Sequence, residues 1–321
     1  MNTSEVRIES ISFEDETYRI SEDLDPAPLQ ESLREVGQLN PVILLEGDGP
    51  ASIVVCGFRR LRALKRMGAD RCMARCLPAD RCTTIAAFRM ALWDNLANRR
   101  LDPLEKARAL YTLRNACGVD QEKLVESYLR PLGLAPHKNV LRTYLGLHGL
   151  DPDLKRFLGE DRITVATAER LAGMGREAQA AMAVIFEAAR FSASLQRQLI
   201  DLIEDVASIE GRTAGEIAKD PEIAQAANDA SRSPYQRGEA IYRSLYQRRN
   251  PRLSRAQARF LDGRRRLELP GSVRLTPDPF FERPNLRVEF EAPSAESFRE
   301  IACALDRVAR TGDLAPLFEV E

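Results

Sequence analysis

The sequence predicts an α+β protein, and three observations lead to this fold class. In residues 1–100, short segments rich in Val and Ile alternate with amphipathic segments, which indicates a small domain of mixed strands and helices. From Pro103 onward, apolar residues recur at helical spacing, which predicts an all-α middle region. Apolar and polar residues alternate in 273–275 and 286–290, so we expect a small α/β unit at the end.

The chain of 321 residues is long enough for two or three domains with substantial cores. We predict four regions along it. The first is the α+β domain (1–100), and the second is the helical domain (101–212). A basic helical connector (213–269) follows, and the small α/β unit (270–321) ends the chain.

Charge is distributed unevenly, although the net charge is only −1. Residues 1–50 carry twelve acidic and three basic side chains, whereas residues 56–100 carry three acidic and eleven basic ones. Residues 230–266 repeat the second imbalance, with two acidic and eleven basic side chains. Local basic regions favour a polyanion such as nucleic acid or nucleotide as a partner, with plain solvated surface as the alternative.

Targeting signals and disulfides are not indicated. No apolar stretch approaches the roughly 18 residues of a membrane span, and the acidic N-terminus does not resemble a secretory signal. We therefore expect no membrane partner and a cytoplasmic location. The six cysteines lack a disulfide-framework pattern, which suits a reducing compartment. Cys72 and Cys76 are expected in the core of a strand, and a metal site that includes Cys82 is the less favoured alternative.

The stretch from Ile53 to Met67 organises the first domain. Residues 53–56 are apolar and mostly β-branched, so they predict a buried strand, and Gly57 follows where the strand turns into a helix. In that helix Leu61, Leu64 and Met67 recur at helical spacing, and Gly68 ends it. The free amides of the first helical turn, together with Arg59 and Arg60, suit a phosphate group. The alternative is a surface helix whose arginines are only solvated.

The other elements of residues 1–100 are predicted from the same signals. A helix begins within 25–28, buries Leu29, Leu33 and Val36, and ends at Gly37. The remaining elements are a weak strand at 6–12, a strand at 42–45, a hairpin turn at 46–50, a strand at 71–77 and a helix at 84–96. We expect these elements to bring three loops together.

A helix-turn-helix is predicted in the helical domain. One amphipathic helix begins at Pro103, Asp120 caps a second in which Leu124, Val125 and Tyr128 are buried, and residues 132–134 form a tight turn. A third helix follows with Pro136 in its first turn. Its polar side carries Lys138, Asn139, Arg142 and Thr143, which have the reach and donors to contact DNA. The alternative is an ordinary helical hairpin.

Further helices and the terminal unit complete the prediction. Thr164 caps a helix after a short one at Leu154, and two more helices span 177–190 and 194–209. The helical pattern then loosens over 209–220. The pattern of residues 232–266 predicts two arginine-bearing helices. Their arginines are expected to bind phosphate or an acidic partner, and the alternative is that they pair with acidic residues elsewhere in the chain. In the terminal unit, Ser294 caps a helix whose predicted sheet-facing side chains are Phe298, Ile301, Ala302 and Leu305.

Four segments resemble the ParB/Spo0J chromosome-partitioning family in order and spacing, over about residues 5–210. They are Gly37-Gln38-Leu39-Asn40-Pro41, Gly57-Phe58-Arg59-Arg60-Leu61-Arg62-Ala63, Asp94-Asn95-Leu96-Ala97-Asn98-Arg99 and Leu101-Asp102-Pro103-Leu104-Glu105-Lys106-Ala107. The resemblance implies a ParB/sulfiredoxin-like N-terminal domain that binds CTP with Mg²⁺ and works as a clamp on DNA. It further implies double-stranded DNA as partner, a homodimer formed through the terminal unit, a ParA-type ATPase as a further partner, and association with the nucleoid.

The resemblance also assigns residues to the site. Gln38, Gly57, Arg59, Arg60, Asn95 and Arg99 would bind the nucleotide, and Asp94 would hold the metal ion. In the DNA-binding domain, Lys138, Asn139, Arg142 and Thr143 would contact the duplex.

Two departures from the family pattern bear on activity. The family usually has glutamate at the positions of Phe58 and Asp94. Phe58 removes a carboxylate beside the phosphates, so at most a weak CTPase is expected, whereas Asp94 keeps the charge with a shorter reach. Two alternatives therefore remain: a nucleotide-independent DNA-binding regulator on the same fold, and a nuclease or phosphotransferase. Sulfiredoxin-like redox chemistry at Cys56 is disfavoured, because a thiol in apolar surroundings is a poor nucleophile.

Overall fold

A computed structural model describes residues 3–21, 25–46 and 51–318. The chain divides into two compact units, residues 1–186 and 187–321, which are described separately. The boundaries predicted after residues 100, 212 and 269 stay a prediction. The α+β fold class is confirmed, since a five-stranded sheet with helices is followed by helices and then a two-stranded sheet.

The five-stranded sheet of the first unit has the order β1-β5-β3-β4-β2. Its strands are β1 (Ser4–Arg7), β2 (Ile11–Ser12), β3 (Val42–Glu46), β4 (Ser52–Cys56) and β5 (Arg71–Pro78). β3 and β4 are antiparallel, whereas β3 and β5 are parallel. The strand predicted at 6–12 is two short strands, because a 3₁₀ turn at Ile8–Ser10 interrupts it. Residues 47–50 of the predicted hairpin turn lie outside the described residues.

Helices cover the sheet. They are α1 (Ala27–Val36), α2 (Phe58–Arg66) and α3 (Thr84–Asn98). Leu61 and Leu64 of α2 pack in one buried cluster with Val42, Leu44 and Val54 of the sheet, and α3 packs against β4. The burial predicted for Val36 is wrong, since the residue is 56% exposed at the end of α1.

Short helices complete the first unit. They are α4 (Pro103–Asn115), α5 (Gln121–Lys123, continued by a π-helical turn at Leu124–Tyr128), α6 (Lys138–Leu147), α7 (Pro152–Gly159), α8 (Val165–Ala172) and α9 (Arg176–Ala188), the last of which ends two residues past the boundary at residue 186. Asp102 and Glu105 form a capping box at the start of α4, and the predicted caps Asp120 and Thr164 are confirmed. The placement of Pro136 inside the third helix is wrong, because α6 begins only at Lys138, after His137 at its N-cap.

The second unit combines helices with a small sheet. Its elements are α10 (Ala193–Glu210), α11 (Ala214–Ala218), α12 (Pro221–Asn228), α13 (Pro234–Arg249), α14 (Pro251–Arg266), β6 (Val273–Pro277), β7 (Leu286–Phe290), α15 (Ala295–Thr311) and α16 (Ala315–Phe318). The two predicted arginine-bearing helices are confirmed as α13 and α14. α13 passes very close to the segment after α9: a Cβ on Gly238 would lie 2.4 Å from the carbonyl oxygen of Arg190.

The terminal unit has the predicted two strands and capped helix, but its helix is less buried than predicted. β6 and β7 pair antiparallel, and Ser294 caps α15 through the backbone N–H of Ser297. Ile301 is buried against Phe260 and Val273, but Phe298 is 53% exposed and Ala302 is exposed as well. The prediction that all four side chains face the sheet is wrong for Ala302. Phe298 does lie against the sheet, since its ring centroid is 5.9 Å from that of Phe290 on β7, although half of the residue stays exposed. No helix in the described part of the chain is both long and apolar enough to cross a bilayer.

An ion-pair network holds α10, α12 and α13 together in the second unit. Arg248 on α13 donates from Nε and Nη2 to Glu210 at 2.9 and 2.6 Å, and its Nη1 lies 2.7 Å from Asp220 at the start of α12. Arg212 pairs with the same two carboxylates. The hydrogen bonds from these arginines lower the pKa of Glu210 and of Asp220. Part of the basic region therefore pairs with acids of its own chain.

We predict that Arg248→Ala lowers the thermal unfolding midpoint of the second unit at pH 7, whereas Arg243→Ala on the exposed side of α13 leaves it nearly unchanged. A carboxyl whose pKa is lowered by folding contributes stability above its unfolded pKa of about 4 and loses it as the pH falls through the lower, folded value. The difference between the Arg248 variant and the wild type should therefore shrink in acid. Circular dichroism melts between pH 7 and pH 2 measure this, and a difference that grows on acidification would contradict it.

Candidate functional site

Side chains on one face of three strands of the first unit line a cavity. Cys56 on β4 is paired with Ile43 on β3, which is paired in turn with Arg75 on β5. Residues paired across neighbouring strands point to the same face of a sheet, and all three line a cavity of about 630 Å³. That volume lies within the range of about 300–1,000 Å³ that is usual for ligand pockets.

The first turn of α2 forms one wall of this cavity. Gly57, the N-cap, has φ +99°, a conformation that only glycine adopts readily, and a Cβ there would lie 2.9 Å from Cγ1 of the buried Val42. The first helical hydrogen bond runs from the amide of Leu61 to the carbonyl oxygen of Gly57. The amides of Phe58, Arg59 and Arg60 precede it, so the helix provides donors and positive potential for an anion.

The cavity is strongly cationic. Five arginines line it, and Asp94 is the one carboxylate among the described lining residues; the five are Arg19, Arg59, Arg60, Arg75 and Arg99. Arg59 and Arg60 donate only to backbone carbonyl oxygens, of Asp25 and Pro41, at the long distance of 3.4 Å. Among the described residues, neither forms an ion pair, so both guanidinium groups remain available for a ligand.

The end of α3 also lines the cavity. Asp94 and Asn95 lie in the last turns of α3, which continues to Asn98, two residues beyond the predicted end of this helix. Asn95 Oδ1 accepts a hydrogen bond from Arg99 Nη2 at 3.0 Å. Arg99 Nη1 binds Glu105 at 2.5 Å, and Glu105 is only 4% exposed. Arg99 thus reaches from the cavity to the first turn of α4.

The residues that line the cavity suit a magnesium ion only if a bound ligand supplies further oxygen atoms. Asp94 is exposed at the rim of the cavity, and the described residues contain no cluster of three His, Cys, Asp or Glu side chains. Mg²⁺ is commonly held by one or two carboxylates together with phosphate oxygens and water. Asp94 therefore suits a metal ion that arrives with phosphates, and the protein alone offers no closed metal cage in its described part.

Gln38 is the one predicted nucleotide-binding residue that the structure does not bring to the cavity lining. Its side-chain amide bonds both backbone groups of Met73, with Nε2 donating to the carbonyl oxygen and Oε1 accepting from the amide, each at 2.7 Å. Gln38 therefore attaches the segment before β3 to β5. The cavity also contains Asn40 and Asn98, from the segments that carry the family resemblance, and residues that were not predicted, among them Tyr18, Arg19, Ser21 and Arg75. Of these, only Arg75 carried a local signal, as a charge within an apolar strand.

Phe58 and Cys56 line the cavity without obvious chemistry. Phe58 is half-buried and packs against the core cluster of the sheet and α2, so it leaves the cavity open. Burial raises the pKa of the Cys56 thiol to about 12; the nearby Asp94 adds to the rise and Arg60 opposes it. A thiol that stays protonated at neutral pH is a poor nucleophile, which argues against redox chemistry here.

The predicted DNA-contacting residues lie on α6. Lys138, Asn139 and Arg142 are exposed, and they line a surface groove together with Arg114. Thr143 is half-buried, and its hydroxyl lies 2.6 Å from a carboxylate oxygen of Glu169 on α8. Three of the four residues thus face outward, whereas Thr143 connects α6 to α8.

Comparison with known proteins places this geometry in context. Residues 2–96 match the family model of the ParB N-terminal domain. A probable chromosome-partitioning protein ParB of Pseudomonas putida is 26% identical over 167 residues, which are 50% of this chain and 54% of that protein. The chromosome-partitioning protein ParB of Myxococcus xanthus is 29% identical over 148 residues, with 46% and 47% covered. The chain therefore spans about half the length of the curated relatives it matches.

Two solved structures of C-terminally truncated ParB from Caulobacter crescentus are also similar. The complex with the centromeric parS site is 18% identical, covers 66% of this chain and 95% of that chain, and has a TM-score of 0.34. The complex with CTP-gamma-S is 22% identical, covers 58% and 99%, and has a TM-score of 0.25. With the family match and the curated relatives, the predicted resemblance to the ParB/Spo0J family is confirmed.

We predict that Gly57→Ala destabilises the first unit more than Gly68→Ala does. Both glycines have positive φ, so each substitution incurs the left-handed backbone cost of roughly 1–2 kcal/mol. Only at Gly57 would the new methyl group meet the side chain of Val42, since nothing lies within 4 Å of a Cβ at Gly68. Urea unfolding of the two variants measures the difference, and equal losses of unfolding free energy would contradict the tight contact.

Proposed function

We propose, from the membership of residues 2–96 in the ParB N-terminal domain family, that this chain is a CTP-responsive DNA-binding protein of chromosome or plasmid partitioning. The N-terminal domain binds the nucleotide, and α6 binds DNA. The choice of CTP among nucleotides comes from the family resemblance. A homodimer, a ParA-type ATPase as partner and a place at the nucleoid belong to the same proposal.

The cationic cavity at the start of α2 is the observation that carries the proposal. A triphosphate bears several negative charges, and this cavity offers five arginines, the free amides of a helix N-terminus and one carboxylate. The guanidinium groups of Arg59 and Arg60 are held only by long contacts to backbone oxygens, so phosphate can replace those contacts at little cost. A neutral ligand would leave this charge uncompensated.

Asp94 is the residue that would hold Mg²⁺ next to the phosphates. The ion would neutralise part of the phosphate charge. Phe58 supplies no carboxylate beside the phosphates, so the proposal assigns binding to this site and leaves hydrolysis at most weak.

The chain from Arg99 to Glu105 offers a route by which ligand binding can reach the helical domain. Arg99 lines the cavity and binds the buried carboxylate of Glu105, which in turn accepts a hydrogen bond from the amide of Asp102 in the capping box of α4. A phosphate that attracts Arg99 competes with Glu105 for the same guanidinium group. Nucleotide and DNA then influence each other reciprocally, as linkage requires of any two coupled sites.

The alternative function is a DNA-binding regulator that does not respond to nucleotide. Phe58 favours it, because an aromatic ring lines the cavity where a carboxylate stands in the family pattern. The two functions share the DNA-binding surface on α6 and differ only in the occupant of the cavity.

We predict that Arg60→Ala removes most CTP affinity and leaves DNA binding nearly intact. Arg60 lines the cavity at the helix N-terminus, and losing a charge-assisted contact to phosphate costs about 1.5–3 kcal/mol, which is roughly a factor of 10 to 100 in affinity. Calorimetric titration with CTP and Mg²⁺ measures it. The matched control is Arg66→Ala, which removes the same charge from the exposed last turn of α2.

Three results decide between the two functions. Tight CTP binding that Arg60→Ala weakens by roughly 10- to 100-fold and Arg66→Ala preserves supports the proposal. Equal CTP affinity in the wild type and in Arg60→Ala would refute the site. DNA binding without any nucleotide binding by the wild type would favour the nucleotide-independent regulator.

For the DNA-binding surface, we predict that Arg142→Ala weakens binding to a mixed-sequence duplex, whereas Arg176→Ala does not. Both arginines are exposed in the first unit, but only Arg142 lies on the outer face of α6. If Arg142 contacts a phosphate, its loss should reduce the slope of log affinity against log salt by about 1. Fluorescence anisotropy over a salt series measures this, and identical salt slopes in the two variants would argue against the assignment of α6.

A further inference from the structure

Arg75 is the least expected member of the cavity. It lies in the middle of β5, which is hydrogen-bonded on both sides, to β1 and to β3. Its neighbours on the same face of the strand are Met73, which is half-buried, and Leu77, which is 1% exposed. An interior strand position between two apolar side chains normally carries an apolar residue as well. A charge at this position therefore calls for a partner.

The structure provides no such partner within its described residues. The Nε atom of Arg75 is buried and has no hydrogen-bond acceptor there, and the guanidinium group forms no ion pair with a described residue. Asp94, the one carboxylate among the described lining residues of the same cavity, forms no ion pair with it. A buried donor without an acceptor is unfavourable in the free protein, and such groups are rare unless a ligand or water satisfies them.

The position of Arg75 indicates which part of a ligand it would meet. Arg75 and Cys56 lie in one row across β5, β3 and β4, and two strand spacings separate their Cα atoms by about 10 Å. Gly57 and the anion-binding turn of α2 follow directly after Cys56. When phosphates occupy that turn, Arg75 lies toward the other end of an elongated nucleotide.

We propose that Arg75 is a further binding residue of the cavity, whose guanidinium group donates a hydrogen bond to an acceptor on the nucleoside half of the bound nucleotide. The inference rests on the proposed function, since it takes a nucleotide as the ligand. Pyrimidine carbonyl and ring-nitrogen atoms and ribose hydroxyl groups are suitable acceptors for a guanidinium donor. Arg75 thus contributes to the recognition of the nucleoside, while Arg59 and Arg60 hold the phosphates.

Calorimetry with two ligands tests the inference on the full chain. Wild type, Arg75→Met and Arg60→Ala are each titrated with CTP and with inorganic tripolyphosphate at the same Mg²⁺ concentration. Arg75→Met should lower CTP affinity by about tenfold, as expected for a hydrogen bond to a charged donor, and should leave tripolyphosphate affinity within about twofold. Arg60→Ala should weaken both ligands, because it removes a phosphate contact.

The outcomes separate this inference from the function on which it rests. If the wild type does not bind CTP, the proposed function and the inference are both overturned. If the wild type binds CTP and Arg75→Met binds it equally well, or loses both ligands by the same factor, only the inference is overturned.

Stability measurements and a second variant exclude a purely structural role. Because the substitution removes an unpaired buried donor, ligand-free Arg75→Met should melt at the wild-type temperature or above it, and a clearly lower midpoint would overturn the inference. Arg75→Lys keeps the charge but lacks the planar guanidinium group, so its CTP affinity should resemble that of Arg75→Met. Full CTP affinity in Arg75→Lys would show that charge alone suffices and would overturn the guanidinium contact.

Discussion

The contact between Gly57 and Val42 determines the geometry of the N-terminal domain. A left-handed residue without a side chain lets the chain leave β4 and enter α2 directly above the buried side chain of Val42. The helix therefore begins directly at the C-terminal end of β4, and the amides of its first turn, which have no partner within the helix, lie at the cavity. Leu61 and Leu64, one and two turns further on, then reach the core cluster. The anion-binding turn and the hydrophobic packing of α2 thus depend on the same backbone conformation.

Electrostatics is organised around this geometry in two ways. Arg19 and Arg99 are paired with Glu16 and Glu105, so part of the positive charge at the cavity is balanced inside the protein. Arg59, Arg60 and Arg75 lack ion-pair partners in the described part of the chain. The first group shapes the cavity and connects it to neighbouring elements, and the second provides the charge that a ligand would neutralise.

Features that depend on residues close together in the sequence could be predicted, whereas features that depend on contacts between residues far apart in the sequence could not. The strand, the glycine turn and the arginine-bearing helix were predictable, because apolar spacing and the position of Gly57 are local signals. The bonds between Gln38 and Met73, 35 residues apart, were not predictable, since they require the register of β5 against β3. The same register brings Arg75 to the cavity. The exposure of Phe298 was not predictable, because helical periodicity indicates an apolar stripe without showing how much of it the small sheet can cover.

The close approach at Gly238 limits how the basic helix α13 can move within its unit. Main chain meets main chain there, with the ring of Phe191 beside it, and the amide of Arg190 also bonds the carbonyl oxygen of Pro234. Contacts between side chains can adjust through rotamer changes, but the contact between the backbones of Gly238 and Arg190 cannot. If α13 slid along its axis or rotated about it, the packing of Gly238 on Arg190 and the hydrogen bond between Arg190 and Pro234 would be lost. A force on the arginines of α13 would therefore be transmitted directly to the segment around Arg190.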